Sequence, residues 1–300
     1  MDKAKRDKIK RNIFPAALLA VEPWDDFRWH TGRGGNCDTD KEHSSQALAI
    51  DVFGTFSLIE SRHRLFNEFL RTHGFQSSGQ WAIELEWLVP KTLLGESRET
   101  QVDVVARNSE FLIFMECKFS ETEAGRCFQP KPLSKGIHKG LRQCNGNFEY
   151  QVNPVSGKAA WCSLTAKGIK YWEYIPKLFG ISPTEVHRPC PFADYKYQWM
   201  RNVVACWAQA LAKKLRPVFL VVYSDAPDPR TFPTAMFVRS DSWAIFKSWI
   251  RQNSVLVWEV DYLDLLDIAI EISREDAPTL KKLRSWVENK IQHVAMRTKT

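Results

Sequence analysis

Two carboxylates and one ammonium group stand close together within residues 100–121 of the sequence. Asp103 lies in one short apolar run, and Glu116 and Lys118 lie at the end of the next run. Because successive side chains of a strand alternate between its faces, Glu116 and Lys118 are predicted to share one face. Burying such charges in a strand made for a core is costly unless they pair or hold an ion. The spacing therefore predicts either a structural salt bridge or an ion site where two neighbouring strands meet.

A β-hairpin is the element that must position these charges. Residues 101–107 and 111–119 are apolar runs, and the polar residues 108–110 between them are typical of a hairpin turn. The second run is apolar on both faces until its end, which predicts a buried central strand. Residues 81–89 are predicted to form the strand before the hairpin.

The arrangement of Asp103 followed by Glu116-Cys117-Lys118 resembles the signature of the PD-(D/E)XK nucleases, the restriction-endonuclease-like superfamily. Val102 stands where the motif name has Pro, at a position that the superfamily keeps loosely. The resemblance implies a Mg²⁺ site made by Asp103, Glu116 and the main-chain carbonyl of Cys117, with Mn²⁺ able to replace Mg²⁺. It also implies that Lys118 positions the attacking water and stabilises the charge that develops at phosphorus. Whether Lys118 itself takes the proton stays open.

Two further residues are candidates for the site through the same resemblance. Superfamily members often add an upstream Glu to the metal site, which favours Glu86, with Glu84 on the same strand face as the other option. The run SSQALA at residues 44–49 resembles the opening of one restriction-endonuclease-like branch, which makes Gln46 a candidate for substrate binding. A solvated strand face and a helix surface are the alternatives for Glu86 and Gln46.

Basic residues downstream of the hairpin are candidates for contact with phosphate. Lys135, Lys139 and Arg142 lie in a basic segment that we expect to bind the nucleic-acid backbone, with a merely solvated loop as the alternative. Arg201 lies beside Gln198 on the polar side of a long predicted helix, where restriction-like folds can bring a Gln or a basic group toward the site. Arg201 is thus a candidate phosphate contact, with a role on the helix surface as the alternative.

The remaining periodicity predicts the order of the elements. Helices are predicted over residues 44–54, 58–72 and 194–214, and a buried strand over residues 217–224 follows the last of them. The order helix-strand-strand-strand-helix-strand is the one that the superfamily's common core shows. The predicted fold is therefore α/β, a restriction-endonuclease-like core with a mixed central sheet flanked by helices.

All 300 residues are predicted to form a single nuclease domain. Residues 1–43 are predicted as a basic arm and loop, residues 44–224 as the core with an insertion over 122–192, and residues 225–300 as a C-terminal α/β extension. No run approaches the ~20 apolar residues of a membrane span, so no membrane association is predicted.

Charge and cysteine usage limit the partners and the cellular compartment. The formal net charge of +7 favours an anionic partner. The seven cysteines have neither paired nor regular spacing, which fits neither a disulfide framework nor a zinc pattern such as Cys-x2-Cys. Free thiols in a reducing cytoplasm are therefore predicted. The seven His show no metal-ligand spacing, which disfavours a histidine nuclease or a zinc hydrolase.

These features together predict a Mg²⁺-dependent endonuclease that hydrolyses phosphodiester bonds in DNA. The DNA is expected to be double-stranded, and the biological role is expected to be restriction or defence. Monomer and homodimer both stay open. A repair, junction-resolving or RNA-directed nuclease of the same fold remains an alternative, because a fold alone does not select a substrate. A non-catalytic nucleic-acid-binding module is a further alternative, which the retained trio of charges disfavours.

Overall fold

The computed structural model describes residues 1–31, 37–121, 125–225 and 232–297. Four segments lie outside the described residues: 32–36 of the predicted loop, 122–124 of the predicted insertion, and 226–231 and 298–300 of the predicted C-terminal extension.

Helical segments precede the sheet. They are α1 (Lys3–Asn12), a 3₁₀ helix (Pro15–Val21), α2 (Ser45–Ala49), a π-helical turn (Ile50–Gly54), α3 (Thr55–Leu58) and α4 (Arg62–Thr72). The segment predicted as a basic arm is helix α1, whose Ile9 is fully buried and whose Lys5 pairs with Asp40 at 2.5 Å. One buried apolar residue anchors α1 to the core, although most of its residues are charged. Ser44 caps α2 by accepting the N–H of Ala47.

Three antiparallel strands carry the predicted charges. They are β1 (Ala82–Val89), β2 (Thr100–Arg107) and β3 (Phe111–Lys118), with the short helix α5 (Lys91–Leu94) after β1. All eight residues of β3 are buried, as predicted for a central strand. The side chain of Asn108 closes the β2–β3 turn by accepting the N–H groups of Glu110 and Phe111 at 2.8 and 2.7 Å.

The insertion after β3 contains some regular structure. It holds β4 (Gln151–Val152), β5 (Ala159–Ala160), α6 (Ser163–Ala166) and α7 (Tyr171–Leu178), and it leads into the long helix α8 (Lys196–Lys213). Helix α7 packs against α8 and buries Tyr171 and Ile175. The sequence predicted an insertion over residues 122–192 but not these elements, because two turns of helix give too short a pattern for periodicity to detect.

The C-terminal part completes the sheet. Its elements are β6 (Arg216–Tyr223), α9 (Pro233–Val238), α10 (Asp241–Trp249), β7 (Leu256–Asp261), α11 (Tyr262–Ile272) and α12 (Ala277–Arg297). The strand order is β1-β2-β3-β6-β7, with β6 parallel to β3 and β7 parallel to β6. The predicted mixed sheet and element order are therefore observed. The predicted C-terminal α/β extension contributes β7, which is the fifth strand of the central sheet.

A buried ion pair ties α12 to the beginning of the chain. Asp51, in the π-helical turn, is fully buried, and its carboxylate contacts Lys290 Nζ at 2.6 Å, Trp286 Nε1 at 3.1 Å and the N–H of Phe14 at 2.6 Å. Burial raises the pKa of Asp51, although the Lys290 ammonium opposes that shift. Among the helices described, none is both long and apolar enough to span a bilayer.

Candidate active site

One cleft of about 430 Å³ gathers most of the predicted site residues. Strands β1, β2 and β3 supply carboxylates and a lysine to its wall, and helices α2 and α8 supply polar side chains. The predicted residues that line it are Gln46, Glu86, Asp103, Glu116, Cys117, Lys118 and Arg201. Residues far apart in the chain thus meet at one end of the central sheet.

Strands β2 and β3 stop pairing where the two carboxylates lie. Their ladder ends at Val104↔Met115, and the carboxylate of Asp103 accepts the backbone N–H of Cys117 at 2.7 Å, beyond the ladder end. The N–H and C=O of one strand residue point to the same side. The Cys117 carbonyl therefore points to the β2 side of β3, the side on which Asp103 lies.

Glu116 and Lys118 form a buried ion pair on one face of β3. Their side chains are in contact at 2.5 Å, and the residues are only 3% and 8% exposed. Two amides from α8 also hold Glu116, because Asn202 Nδ2 donates to Oε2 at 2.5 Å and Gln198 Nε2 donates to Oε1. Gln198 and Asn202 lie one helical turn apart, so both amides face β3. These contacts fix the orientation of the Glu116 carboxylate.

Glu86 lies at a break in the β1–β2 ladder and faces the cleft. Its φ of +52° is unusual for a residue with a side chain, and the ladder skips it. Its carboxylate accepts Gln46 Nε2 at 2.7 Å and the side-chain amide of Gln101. Glu84, the other option in the sequence, pairs with Arg107 at 2.7 Å and does not line the cleft. The structure therefore brings Glu86, and not Glu84, to the candidate site.

The buried carboxylates affect one another's protonation. Burial is the main cause that raises the pKa of Glu86 to about 7. Burial, with repulsion from Glu116 and Glu86, raises the pKa of Asp103 well above its usual value. Burial lowers the pKa of Lys118, but Glu116 and neighbouring carboxylates raise it by more, so the ammonium form persists. A cation in the cleft would relieve the repulsion among the three carboxylates.

The oxygen donors of the cleft suit a hard cation. In the described ranges, no three Asp, Glu, His or Cys side chains are already arranged to hold a metal ion. In the cleft, Glu116 turns toward Lys118 and the α8 amides, while Asp103 turns toward the Cys117 N–H. Mg²⁺ keeps several of its waters and needs one or two carboxylates, so it does not require a three-ligand cage. The donor set of Asp103, Glu116 and the Cys117 carbonyl fits such an ion.

Arg201 reaches the cleft from α8, as the sequence suggested. Its Nε atom is buried and has no hydrogen-bond partner among the described residues. A buried donor without a partner costs free energy, which an acceptor on a bound anion would recover. Arg201 is therefore suitably placed for a phosphate contact.

The basic segment of the insertion is not part of the cleft lining. Lys135, Lys139 and Arg142 are exposed, and none of them lines the cleft. Their predicted contact with the nucleic-acid backbone stays a prediction.

Sequence reasoning missed one side chain that holds the site and left two without a role. Gln101 lies two positions before Asp103, on the same face of β2, and this alternation was the available signal. Gln198 was noticed on the polar side of the long helix, but neither its partner nor that of Asn202 could be identified. Their spacing of one helical turn was the signal for a shared partner on a facing strand.

A family model described as Restriction Endonuclease associating with ARP (REase-ARP) matches residues 12–259. This range contains strands β1, β2, β3 and β6, most of β7, and every residue of the cleft described above. Comparisons with curated proteins and with solved structures gave no match. The family match agrees with the resemblance that the Asp, Glu and Lys pattern indicated.

Proposed function

The chain belongs to the REase-ARP family of restriction-endonuclease-like proteins, and from this premise we propose that it is a Mg²⁺-dependent endonuclease that hydrolyses phosphodiester bonds in DNA. One observation carries the proposal: Asp103, Glu116 and Lys118 meet in a single cleft, with the last two paired at 2.5 Å. A module that only binds nucleic acid gains nothing from burying these charges, whose desolvation is costly.

Asp103, Glu116 and the Cys117 carbonyl would hold the Mg²⁺ ion, with Glu86 beside them. When bound, the ion supplies positive charge for the non-bridging oxygens of the scissile phosphate. Gln198 and Asn202 keep the Glu116 carboxylate oriented, and Gln46 and Gln101 do the same for Glu86. These amides act as positioning residues.

Lys118 would act as a cation and not as the proton acceptor. Its ammonium pairs with Glu116 at 2.5 Å, and in the metal-free protein burial lowers the pKa of Lys118 but Glu116 and nearby carboxylates raise it overall. An ammonium at this position can donate a hydrogen bond to the attacking water and stabilise the charge that grows at phosphorus.

Duplex DNA is the proposed substrate, within restriction or defence. The net charge of +7 favours a polyanion, and Arg201 offers an unpaired buried donor inside the cleft. An RNA-directed, repair or junction-resolving nuclease would use the same site, so the choice among substrates must come from experiment.

Cleavage assays test the proposal directly. Supercoiled plasmid, linear duplex, single-stranded DNA and RNA should each be incubated with the full chain in Mg²⁺, in Ca²⁺ and in EDTA. We expect nicking or linearisation of duplex DNA in Mg²⁺, with binding but no cleavage in Ca²⁺. Equal cleavage in EDTA would rule out the metal site, and cleavage of RNA alone would overturn the proposed substrate.

Substitution of Lys118 separates catalysis from folding. Lys118→Ala should lower the cleavage rate by about 10²-fold or more, because one stabilising donor near the reacting phosphate is lost. DNA binding in Ca²⁺ should stay near that of the wild type. Lys158→Ala, at an exposed position of the insertion, is the matched control and should cleave normally. A wild-type rate in Lys118→Ala would exclude the proposed role.

A further inference from the structure

Four of the seven cysteines converge on one small cavity in the insertion. The cavity measures about 30 Å³, which is close to the space that one water molecule or ion occupies. It shares no lining residue with the cleft. The cysteines come from four separate segments of the chain and are all free thiols: Cys127, Cys144, Cys162 and Cys190. Their side chains lie close enough to interact electrostatically with one another.

Backbone hydrogen bonds hold three of these segments together. Each bond joins a cysteine or its near neighbour to the segment of another cysteine, so the three segments form a closed ring. The bonds run from Cys144 N to Gln129 O (3.3 Å), from Cys190 N to Gly146 O (3.0 Å) and from Cys127 N to Ala193 O (3.2 Å). The fourth segment joins the ring through the hydroxyl of Ser163, which donates to the Gln129 side chain at 3.3 Å. The convergence of the cysteines is therefore part of the fold of the insertion.

The four sulfurs share one feature of their local environment. Each accepts a backbone N–H from the residue two positions further along the chain. The donors are Gln129 for Cys127, Gly146 for Cys144, Leu164 for Cys162 and Phe192 for Cys190. Gly146 adopts a φ of +90°, a conformation that glycine reaches without strain. Burial raises the pKa of each of the four thiols, and these backbone donors act against that rise because they stabilise negative charge on sulfur, the form in which cysteine binds a metal.

We propose that Cys127, Cys144, Cys162 and Cys190 bind one structural Zn²⁺ ion. Four thiolates are a complete tetrahedral ligand set, which leaves no open position for catalysis. On binding, the four thiols release four protons to solvent, and the resulting tetrathiolate complex carries two negative charges. Lys167 interacts with three of the four sulfurs and offsets part of that charge. Since the described residues include no group already set to hold a metal, the four segments must close around the ion.

Regular backbone hydrogen bonding is sparse in the part of the insertion that carries the first three of these cysteines. Its strands are two residues long and α6 has four residues, so regular hydrogen bonding contributes little. A metal that joins residues 127, 144, 162 and 190 cross-links most of its length. Cys127 and Cys144 flank the basic segment of residues 131–142. The bound ion would therefore also fix the positions of both ends of that segment. This site is independent of the proposed cleavage reaction.

Metal analysis of the full chain tests the proposal. Protein purified without added chelator should contain about one zinc per chain. Protein refolded with Co²⁺ should show the thiolate charge-transfer band and the visible absorption of a tetrahedral tetrathiolate site. Cys144→Ser should lose the stoichiometric zinc. Cys37→Ser, which alters another half-buried cysteine outside the cluster, is the matched control and should retain it.

Several results would overturn the proposal. One is a zinc content well below one ion per chain after refolding with excess Zn²⁺. The others are iron bound in place of zinc, and two disulfide bonds detected by mass spectrometry of the native protein. If Cys144→Ser does not fold, the Co²⁺ spectrum of the wild type and its loss on chelation decide the question. Limited proteolysis tests the structural role: removal of zinc should expose sites within residues 126–188 while the sheet stays protected. An unchanged pattern would overturn that role.

Discussion

At the scale of single residues, Glu86 shows how far the site departs from an ordinary strand. Its φ of +52° and its buried carboxylate each cost free energy, and two glutamine amides offset only part of that cost. Such a residue persists when the surrounding structure holds it in place. Its position beside Asp103 and Glu116 supports a role in the reaction.

The raised pKa of Glu86 predicts how stability depends on pH. A carboxyl whose pKa rises from 4.5 to about 7 on folding binds its proton more tightly in the folded state. Its stabilising contribution is present below the unfolded pKa and is lost as pH rises through the folded pKa. We therefore expect the metal-free protein to lose up to roughly 3 kcal/mol of unfolding free energy between about pH 4.5 and about pH 7 from this group.

Urea unfolding in EDTA, at several pH values across this range, measures that loss. Glu86→Gln should reduce the slope, although Asp103 contributes in the same direction and keeps part of it. Glu84→Gln, on the same strand but outside the cleft, is the control and should keep the wild-type slope. If Glu86→Gln and the wild type have identical slopes, burial of Glu86 does not influence stability as described.

At the scale of elements, α8 orients the carboxylate that β3 supplies, and the beginning of the insertion orients α8. Gly125 has a φ of +61°, and its carbonyl accepts the N–H of Gln198 at 3.2 Å. A Cβ at Gly125 would lie 2.6 Å from Oε1 of Gln198, the side chain whose amide holds Glu116. A glycine at this position therefore leaves room for a positioning residue.

Gly125→Ala should displace Gln198 and slow single-turnover cleavage by roughly 10- to 100-fold, because small misplacements at a reacting centre are costly. Gly157→Ala is the matched control, since Gly157 has a similar φ of +67° but no atom within 4 Å of the added carbon. Both variants should lose about 1 kcal/mol of stability through backbone strain. Equal cleavage defects in the two variants would show that strain, and not contact with Gln198, is responsible.

The sequence predicted best those elements that carry a strong apolar pattern. Strands β1, β2, β3 and β6 and helix α8 have long apolar runs or helical periodicity, and their observed bounds lie close to the predicted ones. Helix α1 could not be identified in this way, because Ile9 is its one buried residue. The pairing of β7 with β6 was also hidden, since a strand pattern carries no information about its neighbour.

For the site too, the sequence revealed relations within one strand but not contacts between elements that are far apart in the chain. Glu116 and Lys118 were predictable because their spacing along one strand fixes their common face. The side chains that hold them were not, since Gln198 and Asn202 come from an element far along the chain. The four cysteines around the small cavity illustrate this most clearly, because none has a close cysteine neighbour in sequence.

At the scale of the whole molecule, the Asp51–Lys290 pair fastens α12 to the core helices and to the N-terminal segment. Lys290→Met should lower the unfolding free energy by about 3–5 kcal/mol, because Asp51 would be left buried without its counter-charge. Chemical denaturation measures the change. Lys281→Met, at an exposed position on the same helix, should change stability by no more than about 0.5 kcal/mol. Equal stabilities for the two variants would contradict the assigned role of the pair.

The distribution of charge over the molecule leads to a prediction for DNA binding. Replacing Lys135, Lys139 and Arg142 together by Ser should weaken binding and reduce its log–log salt dependence by roughly one unit per lost phosphate contact. The cleavage step at saturating DNA should stay unchanged, because none of the three lines the cleft.

A control variant separates this local effect from total charge. Replacing the exposed Arg274, Lys281 and Lys282 by Ser removes the same charge from a segment more than 100 residues away in the sequence. Binding titrations across a range of salt concentrations should give a wild-type slope for this control. If the insertion variant also keeps the wild-type slope, α1 becomes the next candidate for the backbone contact.

The order of the strands also determines when the site can form as the chain folds. Strands β1, β2 and β3 follow one another closely and pair as neighbours, whereas β6 reaches β3 across about 100 intervening residues, a closure that costs about 4 kcal/mol of chain entropy. We expect the three-stranded meander to form early, with Asp103, Glu116 and Lys118 still hydrated. Water would leave these charges at the later step that docks α8 and β6, when the amides of α8 replace it. Pulse-labelled hydrogen exchange would then show protection in the β2–β3 ladder before protection in β6.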